Sequence, residues 1–314
     1  TPASETASRP AVAGGALRPA VILGGNRIPF ARANTAYAEV GNQEMLTATL
    51  DGLVARFGLQ GERLGQVTAG AVLKHPRNFN LTREAVLGSA LSAATPAADV
   101  QVACATGMEA VGTLANKIRL GQLDSAIGGG VDSISDAPVS LSDGARRVLL
   151  QLNTAKTMKD RLRALAQLRP GQLVPEPAGA GEPRTGMSMG EHQALTTHKW
   201  GITRQAQDEL AAASHRNLGA AYAAGYMDDL VTPFHGLARD NNLRPDSTPE
   251  KLAGLKPAFG RQLGDEATMT AANSTPLTDG ASAVLLSSEE WAAERGLPAV
   301  SYTHLRAHET PEHL

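Results

Sequence analysis

The sequence predicts an α/β protein with strands and helices in layers, and three observations predict it. Short apolar runs at 19–24, 67–72, 99–102 and 125–130 have the length and bounding residues of buried strands. The segments between them, 43–57, 82–91 and 105–120, repeat their apolar residues at helical spacing. The two types alternate along the chain, which is the pattern of an α/β layered domain. The first run, Ala20-Val21-Ile22-Leu23, reaches a turn at Gly24. The first helix carries Leu46, Leu50, Leu53, Val54 and Phe57 on one face and is stopped by Gly58 at its C′ position. In the third helix Met108, Val111, Leu114 and Ile118 form the apolar stripe. The run from Ser125 ends in Gly128-Gly129-Gly130. No Lys-Ser/Thr pair or capped helix follows these glycines, so they read as close strand packing rather than a phosphate loop.

The rhythm changes after residue 135. Residues 145–169 are cationic, with Arg146, Arg147, Lys156, Lys159, Arg161, Arg163 and Arg169 against Asp160, and carry an intermittent leucine stripe. Residues 170–183, with four prolines and three glycines, read as loop. A long helix capped by Thr203 runs to a stop at Gly225. Strand patterning returns at 269–273 and 281–288. The chain therefore divides into a leader without periodicity (1–17), an α/β domain (18–134), an insertion (135–268), return strands (269–299) and a tail (300–314).

Composition excludes several function classes. The net charge of −2 advertises no nucleic-acid surface, and no run of eighteen apolar residues is long enough for a helical membrane span. One cysteine in 314 residues excludes an internal disulfide and a cysteine-rich metal cluster, and it fits a reducing, cytoplasmic setting. None of the eight histidines has zinc-type spacing, so no metal site is expected.

That cysteine, Cys104, is the first candidate for chemistry. It falls where a strand gives way to a helix, facing unpaired N–H groups and the positive end of the macrodipole, an arrangement that favours thiolate. Ala103, Ala105, Thr106 and Gly107 around it leave room for a substrate. An inert buried thiol is the competing reading. A second cluster, Asn273-Ser274-Thr275-Pro276-Leu277-Thr278-Asp279-Gly280, is dense in turn-forming side chains with backbone N–H groups between two apolar segments, and an ordinary turn is its competing reading.

Together these segments resemble the thiolase family, over about 18–288. The motifs that carry the resemblance occur in family order: Arg27-Ile28-Pro29-Phe30, Ala103-Cys104-Ala105-Thr106-Gly107, Gly128-Gly129-Gly130-Val131-Asp132-Ser133, Met189-Gly190-Glu191, Gly201-Ile202-Thr203-Arg204, and Thr270 through Gly280. Asp240-Asn241-Asn242-Leu243-Arg244 and the basic 145–169 segment are most similar to the long-chain, trifunctional-complex subgroup of 3-ketoacyl-CoA thiolases.

The resemblance implies the layered αβαβα thiolase fold, of which this chain holds the N-terminal half and the loop-domain insertion. It implies thiolytic cleavage of 3-ketoacyl-CoA by CoA in fatty-acid β-oxidation, with Cys104 as the nucleophile of an acyl-thioester intermediate and its main-chain N–H in an oxyanion hole. Coenzyme A is then a substrate, and no cofactor is held permanently. Met189 would line the pantetheine channel, with Ser274 and Thr275 beside the pantetheine. The family often has Ser-Gly where this chain has Thr275-Pro276. Homo-oligomers are implied, and for the cationic 145–169 segment two readings stand: docking on a hydratase/dehydrogenase subunit or an anionic membrane surface, or a solvated loop-domain face that meets CoA phosphates. In the family a second half supplies a His base, a second Cys and further oxyanion donors; no Gly-His-Pro and no second cysteine occur here. Residues 300–310 leave the family pattern and resemble the translation of a sequencing-library adapter. The expectation is a C-terminally truncated chain with native sequence ending near Ala299 and little activity by itself. The alternatives are a ketoacyl synthase-like condensing enzyme and a non-catalytic CoA-binding module.

Overall fold

The computed structural model describes residues 17–179 and 181–302. The expected leader, except Leu17, and the expected tail beyond Tyr302 lie outside the described residues. Among the described residues the strands and α-helices follow in chain order: β1 (Ala20–Arg27), β2 (Ala31–Arg32), α1 (Asn42–Phe57), β3 (Gln66–Ala69), α2 (Leu81–Gly88), β4 (Ala97–Asp99), α3 (Thr106–Arg119), β5 (Ser125–Asp132), β6 (Val139–Ser140), α4 (Asp143–Thr154), α5 (Met158–Leu165), β7 (Glu176–Pro177), α6 (Met189–Lys199), α7 (Arg204–Ala223), α8 (Pro249–Ala253), β8 (Thr278–Ser288), α9 (Glu289–Glu294) and β9 (Ser301–Tyr302).

One mixed sheet organises the molecule, in the order β4-β3-β5-β8-β1-β9, with β2 paired to β8. The pairs β4–β3 and β3–β5 are parallel, and β5–β8, β8–β1 and β1–β9 are antiparallel. The alternation of side chains along each strand sends successive residues to opposite faces. Val21, Leu23, Val67, Ile127 and Leu285 meet α1 and α2 on one face. Ala20, Ala126 and Leu286 meet Leu114, Ala115 and Ile118 of α3 on the other. Helix α1 ends as expected, at Gly58 with φ 65°, a left-handed conformation that glycine adopts without steric cost.

β5 and β8 pair along eight residues, from Ser125↔Ser287 to Asp132↔Gly280. Residues 133–277 thus leave and re-enter the sheet at neighbouring strands. Within them Thr203 caps α7 through its side chain, accepting from the Ala206 amide, as expected. The cationic 145–169 segment forms a helical hairpin of α4 and α5, capped by Ser142 and Thr157.

Three expectations need correction. The strand expected at 99–102 sits earlier, at Ala97–Asp99, because Val100 already turns away after its amide bonds to Ala69 O. The strand expected at 269–273 does not form. The Asn273 Oδ1 accepts from the Thr270 amide at 2.7 Å and the Thr270 hydroxyl accepts from the amides of Ala272 and Asn273, which closes the segment into a turn. Residues 170–183 are not all loop, since Glu176–Pro177 pairs with Val139–Ser140.

Candidate functional site

Cys104 is set by the way β4 ends. At Gly70, just past β3, an added Cβ would lie 1.8 Å from the Val100 carbonyl, so only glycine lets the segment after β4 cross this closely. The chain then turns back through Ala103, whose φ of 44° is in the left-handed region. The Thr106 hydroxyl donates to Ala103 O at 2.7 Å and accepts from the Val102 amide at 3.0 Å, which holds that turn. Helix α3 begins at Thr106 with Ala105 as its cap residue. Cys104 therefore stands one residue ahead of the cap, and it is exposed rather than buried among core side chains.

The thiol opens onto a cleft of about 740 Å³ on the α3 face of the sheet, beside the helix. Its walls are small or aliphatic: Ala103, Gly107, Gly128, Gly130, Ala281 and Val284 among them. Cβ atoms at Gly128 and Gly129 would fall 2.9 Å from Val111 Cγ2 and 2.5 Å from Ser282 O, so the glycine run serves close packing of β5 on α3 and β8. Cys104 and Asp132 are the ionisable side chains of the lining, which includes no histidine among the described residues. Burial pushes the Asp132 carboxyl above its ordinary range, against the opposing pull of the Leu73 and Val72 amides that donate to it at 2.8 and 2.9 Å. The neighbouring exit of β5 is pinned by Asp279, fully buried, whose carboxylate accepts from Ile134 N at 2.7 Å and Ser135 N at 3.0 Å.

A second cleft of about 390 Å³ lies in the insertion, where α8 and the 270–276 turn come together. Arg32, His215, Arg244 and Lys251 bring basic side chains to it, against the single carboxylate of Asp246, which accepts from Lys251 Nζ at 3.2 Å. Leu252, Leu255, Ala271 and Ala272 give it apolar walls. Ser274 also lines it, and its hydroxyl is buried with no hydrogen-bond partner among the described residues. A cationic cleft with an unsatisfied hydroxyl suits a phosphate-bearing ligand with an amide or hydroxyl tail.

The sequence-predicted residues thus separate. Cys104 lies on the first cleft and Ser274 on the second. Thr275 is exposed between Ser274 and Pro276, both of which line the second cleft. Met189 heads α6, whose capping box joins Ser188 and Glu191; it is 63% exposed and lines neither cleft. Arg32, His215, Arg244 and Lys251 were not singled out as ligand contacts by sequence reasoning, since four basic residues spread over 220 positions show no common spacing. No basic residue of 145–169 lines the second cleft. Among the described residues no group of three or more His, Cys, Asp or Glu is placed to hold a metal ion, and no helix is long and apolar enough to cross a membrane.

Comparison with known proteins gives a consistent picture. The family described as thiolase, N-terminal domain, matches residues 20–290. The 3-ketoacyl-CoA thiolases of Yersinia pestis (strain Pestoides F) and Yersinia pseudotuberculosis (serotype O:3) are 39% identical over 288 residues, covering 90% of this chain. The chain spans 65% of the length of those relatives. The crystal structure of the Bacillus anthracis acetyl-CoA acetyltransferase superposes with a TM-score of 0.74 at 28% identity, covering 91% of this chain and 69% of that one.

Proposed function

The chain belongs to the thiolase family, and from that premise we propose that it carries the nucleophile and the CoA site of a 3-ketoacyl-CoA thiolase. The observation that carries the reading is the exposed Cys104 on its left-handed turn, facing a cleft walled by small residues. In the proposed reaction the Cys104 sulfur bonds to the 3-keto carbon, and the bond between C2 and C3 breaks. The electron pair stays on C2, which takes a proton to give acetyl-CoA. The acyl group remains on sulfur as a thioester. The thiol of a second CoA then attacks that thioester, releases the shortened acyl-CoA and returns the proton to the cysteine side. The backbone amide at Cys104 donates to the developing oxyanion.

CoA itself belongs in the second cleft on this reading, with its phosphates against Arg244, Lys251 and Arg32 and its pantetheine arm running past Ser274 and Thr275. The buried, unpartnered Ser274 hydroxyl and the basic lining support it. Among the described residues the lining of the Cys104 cleft holds no histidine and no second thiol, and its one carboxylate, Asp132, is engaged by the Val72 and Leu73 amides. The 314-residue chain by itself is therefore expected to bind CoA while turning over 3-ketoacyl-CoA little or not at all. The α4–α5 hairpin is free of this chemistry, and its exposed Leu149, Leu150, Leu162 and Leu165 beside the arginines support a docking role toward an anionic membrane or a hydratase/dehydrogenase subunit. Homo-oligomerisation and a cytoplasmic setting complete the reading; the lone free thiol supports the latter.

The test is acyl transfer to the chain. After incubation of the chain with acetyl-CoA or a 3-ketoacyl-CoA, mass spectrometry should find the acyl group on Cys104, and Cys104→Ser should abolish that acylation. Full turnover by Cys104→Ser, or thiolysis at ordinary thiolase rates by residues 1–314 alone, would overturn the proposal.

A further inference from the structure

Both walls of the second cleft trace back to one carboxylate. Asp208, on α7, is 2% exposed and lines neither of the two clefts. Its Oδ2 accepts from Arg204 Nε at 2.7 Å. The Nη2 of that same guanidinium donates to Leu252 O at 2.6 Å and Leu255 O at 3.2 Å, gripping the end of α8. Asp208 Oδ1 accepts from Asn273 Nδ2 at 2.9 Å. Asn273 in turn donates to Thr268 O at 3.1 Å and accepts from the Thr270 amide at 2.7 Å, bracing the 270–274 turn. Leu252 and Leu255 form one wall of the cleft; Ala271, Ala272 and Ser274 form the other.

We infer that Asp208 is a positioning residue for the ligand of this cleft: its two oxygens hold the two walls at a fixed separation, one through Arg204 and the other through Asn273. The physical argument is geometric. A buried carboxylate has two acceptor atoms in a rigid plane; here one is taken by Arg204 of the same helix, which grips the α8 wall, and the other by Asn273 of the turn. Main-chain pairing joins the two segments at one place, through the Pro257–Thr270 bridge and the Ala258 amide on Met269 O at 2.8 Å, and the side-chain network ties 252–255 to 270–274 beyond that pairing. An amide in place of the carboxylate offers one uncharged acceptor and one donor, so one wall loses its anchor and the other keeps only a weaker, uncharged one. The inference deepens the reading of this cleft as the CoA site and rests on it for the identity of the ligand.

The experiment uses the 314-residue chain and four variants, Asp208→Asn, Asp208→Glu, Arg204→Lys and Asn273→Ala, with CoA affinity by calorimetry and amide hydrogen exchange by mass spectrometry. Asp208→Asn is expected to weaken CoA binding about tenfold or more, the loss of one charge-assisted hydrogen bond. Exchange should accelerate at 252–255 and 270–274 together in Asp208→Asn, at 252–255 alone in Arg204→Lys, and at 270–274 alone in Asn273→Ala. Asp208→Glu, which keeps both acceptors, should retain more affinity than Asp208→Asn. A merely structural role would lower the melting temperature without this division between the two walls, and CoA affinity within twofold of wild type in Asp208→Asn would likewise overturn the inference. If the unmodified chain fails to bind CoA, the assignment of the cleft to CoA falls, and the exchange pattern still decides whether Asp208 couples the walls.

Discussion

Thr106 holds Ala103 in place: its hydroxyl donates to the Ala103 carbonyl at 2.7 Å while it accepts from the Val102 amide at 3.0 Å. One buried side chain thereby closes the turn that presents Cys104. Thr106→Val keeps the shape and removes both bonds. It is expected to cost about 1 kcal/mol in urea unfolding, because the two hydrogen bonds that close the turn are lost. Thr106→Ser should recover most of that loss. A Thr106→Val protein as stable as wild type would show that the turn is held by other contacts.

Ala103 itself bears a conformational cost at φ 44°. Ala103→Gly should relieve roughly 1 kcal/mol of left-handed strain, partly offset by the greater freedom of glycine in the unfolded chain. Ala103→Val should lose more than Ala103→Gly gains, because a β-branched residue resists positive φ. Thermal melting of the pair checks the order; a valine variant that melts above the glycine variant contradicts it.

The glycines of the sheet divide by what an added methyl would meet. Gly70→Ala and Gly129→Ala push a Cβ to within 1.8 Å and 2.5 Å of backbone oxygens and should leave little folded protein, whereas Gly171→Ala meets nothing within 4 Å and should be neutral. Soluble yield and circular dichroism decide. A well-folded Gly70→Ala chain would mean that the Val100 carbonyl moves easily.

Asp99 gives a pH signature. Burial alone would push its carboxyl up, but hydrogen bonds from Lys74 and from Thr82 outweigh it and hold it below the ordinary 3.8. It also accepts from the amides of Leu81 and Thr82 at the start of α2. Because the folded value is depressed, its stabilisation is present above the unfolded value and is lost as pH falls through the folded one. Asp99→Asn should therefore cost about 1 kcal/mol near neutrality, the usual worth of such a cap, and the gap from wild type should narrow below about pH 4. A gap independent of pH would exclude the charge as its source.

The α4–α5 hairpin is the place to test docking. Arg161→Glu with Arg163→Glu should reduce co-sedimentation with anionic vesicles severalfold at low salt, or abolish pull-down of a hydratase/dehydrogenase subunit, and leave CoA affinity unchanged. If neither interaction changes, the hairpin has no docking role of this kind.

Much of the fold was legible because α1 and α3 carry a helical period that states which face is buried, and β1 and β5 are short apolar runs of the kind that a sheet covered on both faces requires. Leu46, Leu50, Leu53 and Val54 could be read as one face before any partner was known. The 269–273 segment was not legible, because its apolar residues suggest a strand while Asn273 and Thr270 supply local hydrogen bonds that a hydropathy pattern does not register. Helix α6 was missed although Ser188 and Glu191 spell a capping box, since Gly190 and two threonines blunt its periodicity.

By itself the sequence determined the α/β class, the family resemblance and the place of the candidate thiol, since apolar runs, helix periods and a cysteine between small residues are local properties of the chain. Only the tertiary structure decided that Arg32, His215, Arg244 and Lys251 share one cleft, that Met189 stands apart from it, and that Asp208 ties its walls together. Those relationships join residues up to 219 positions apart, counting from Arg32 to Lys251. Packing, not spacing, brings such residues together, because the antiparallel β5–β8 pairing closes residues 133–277 into one excursion from the sheet.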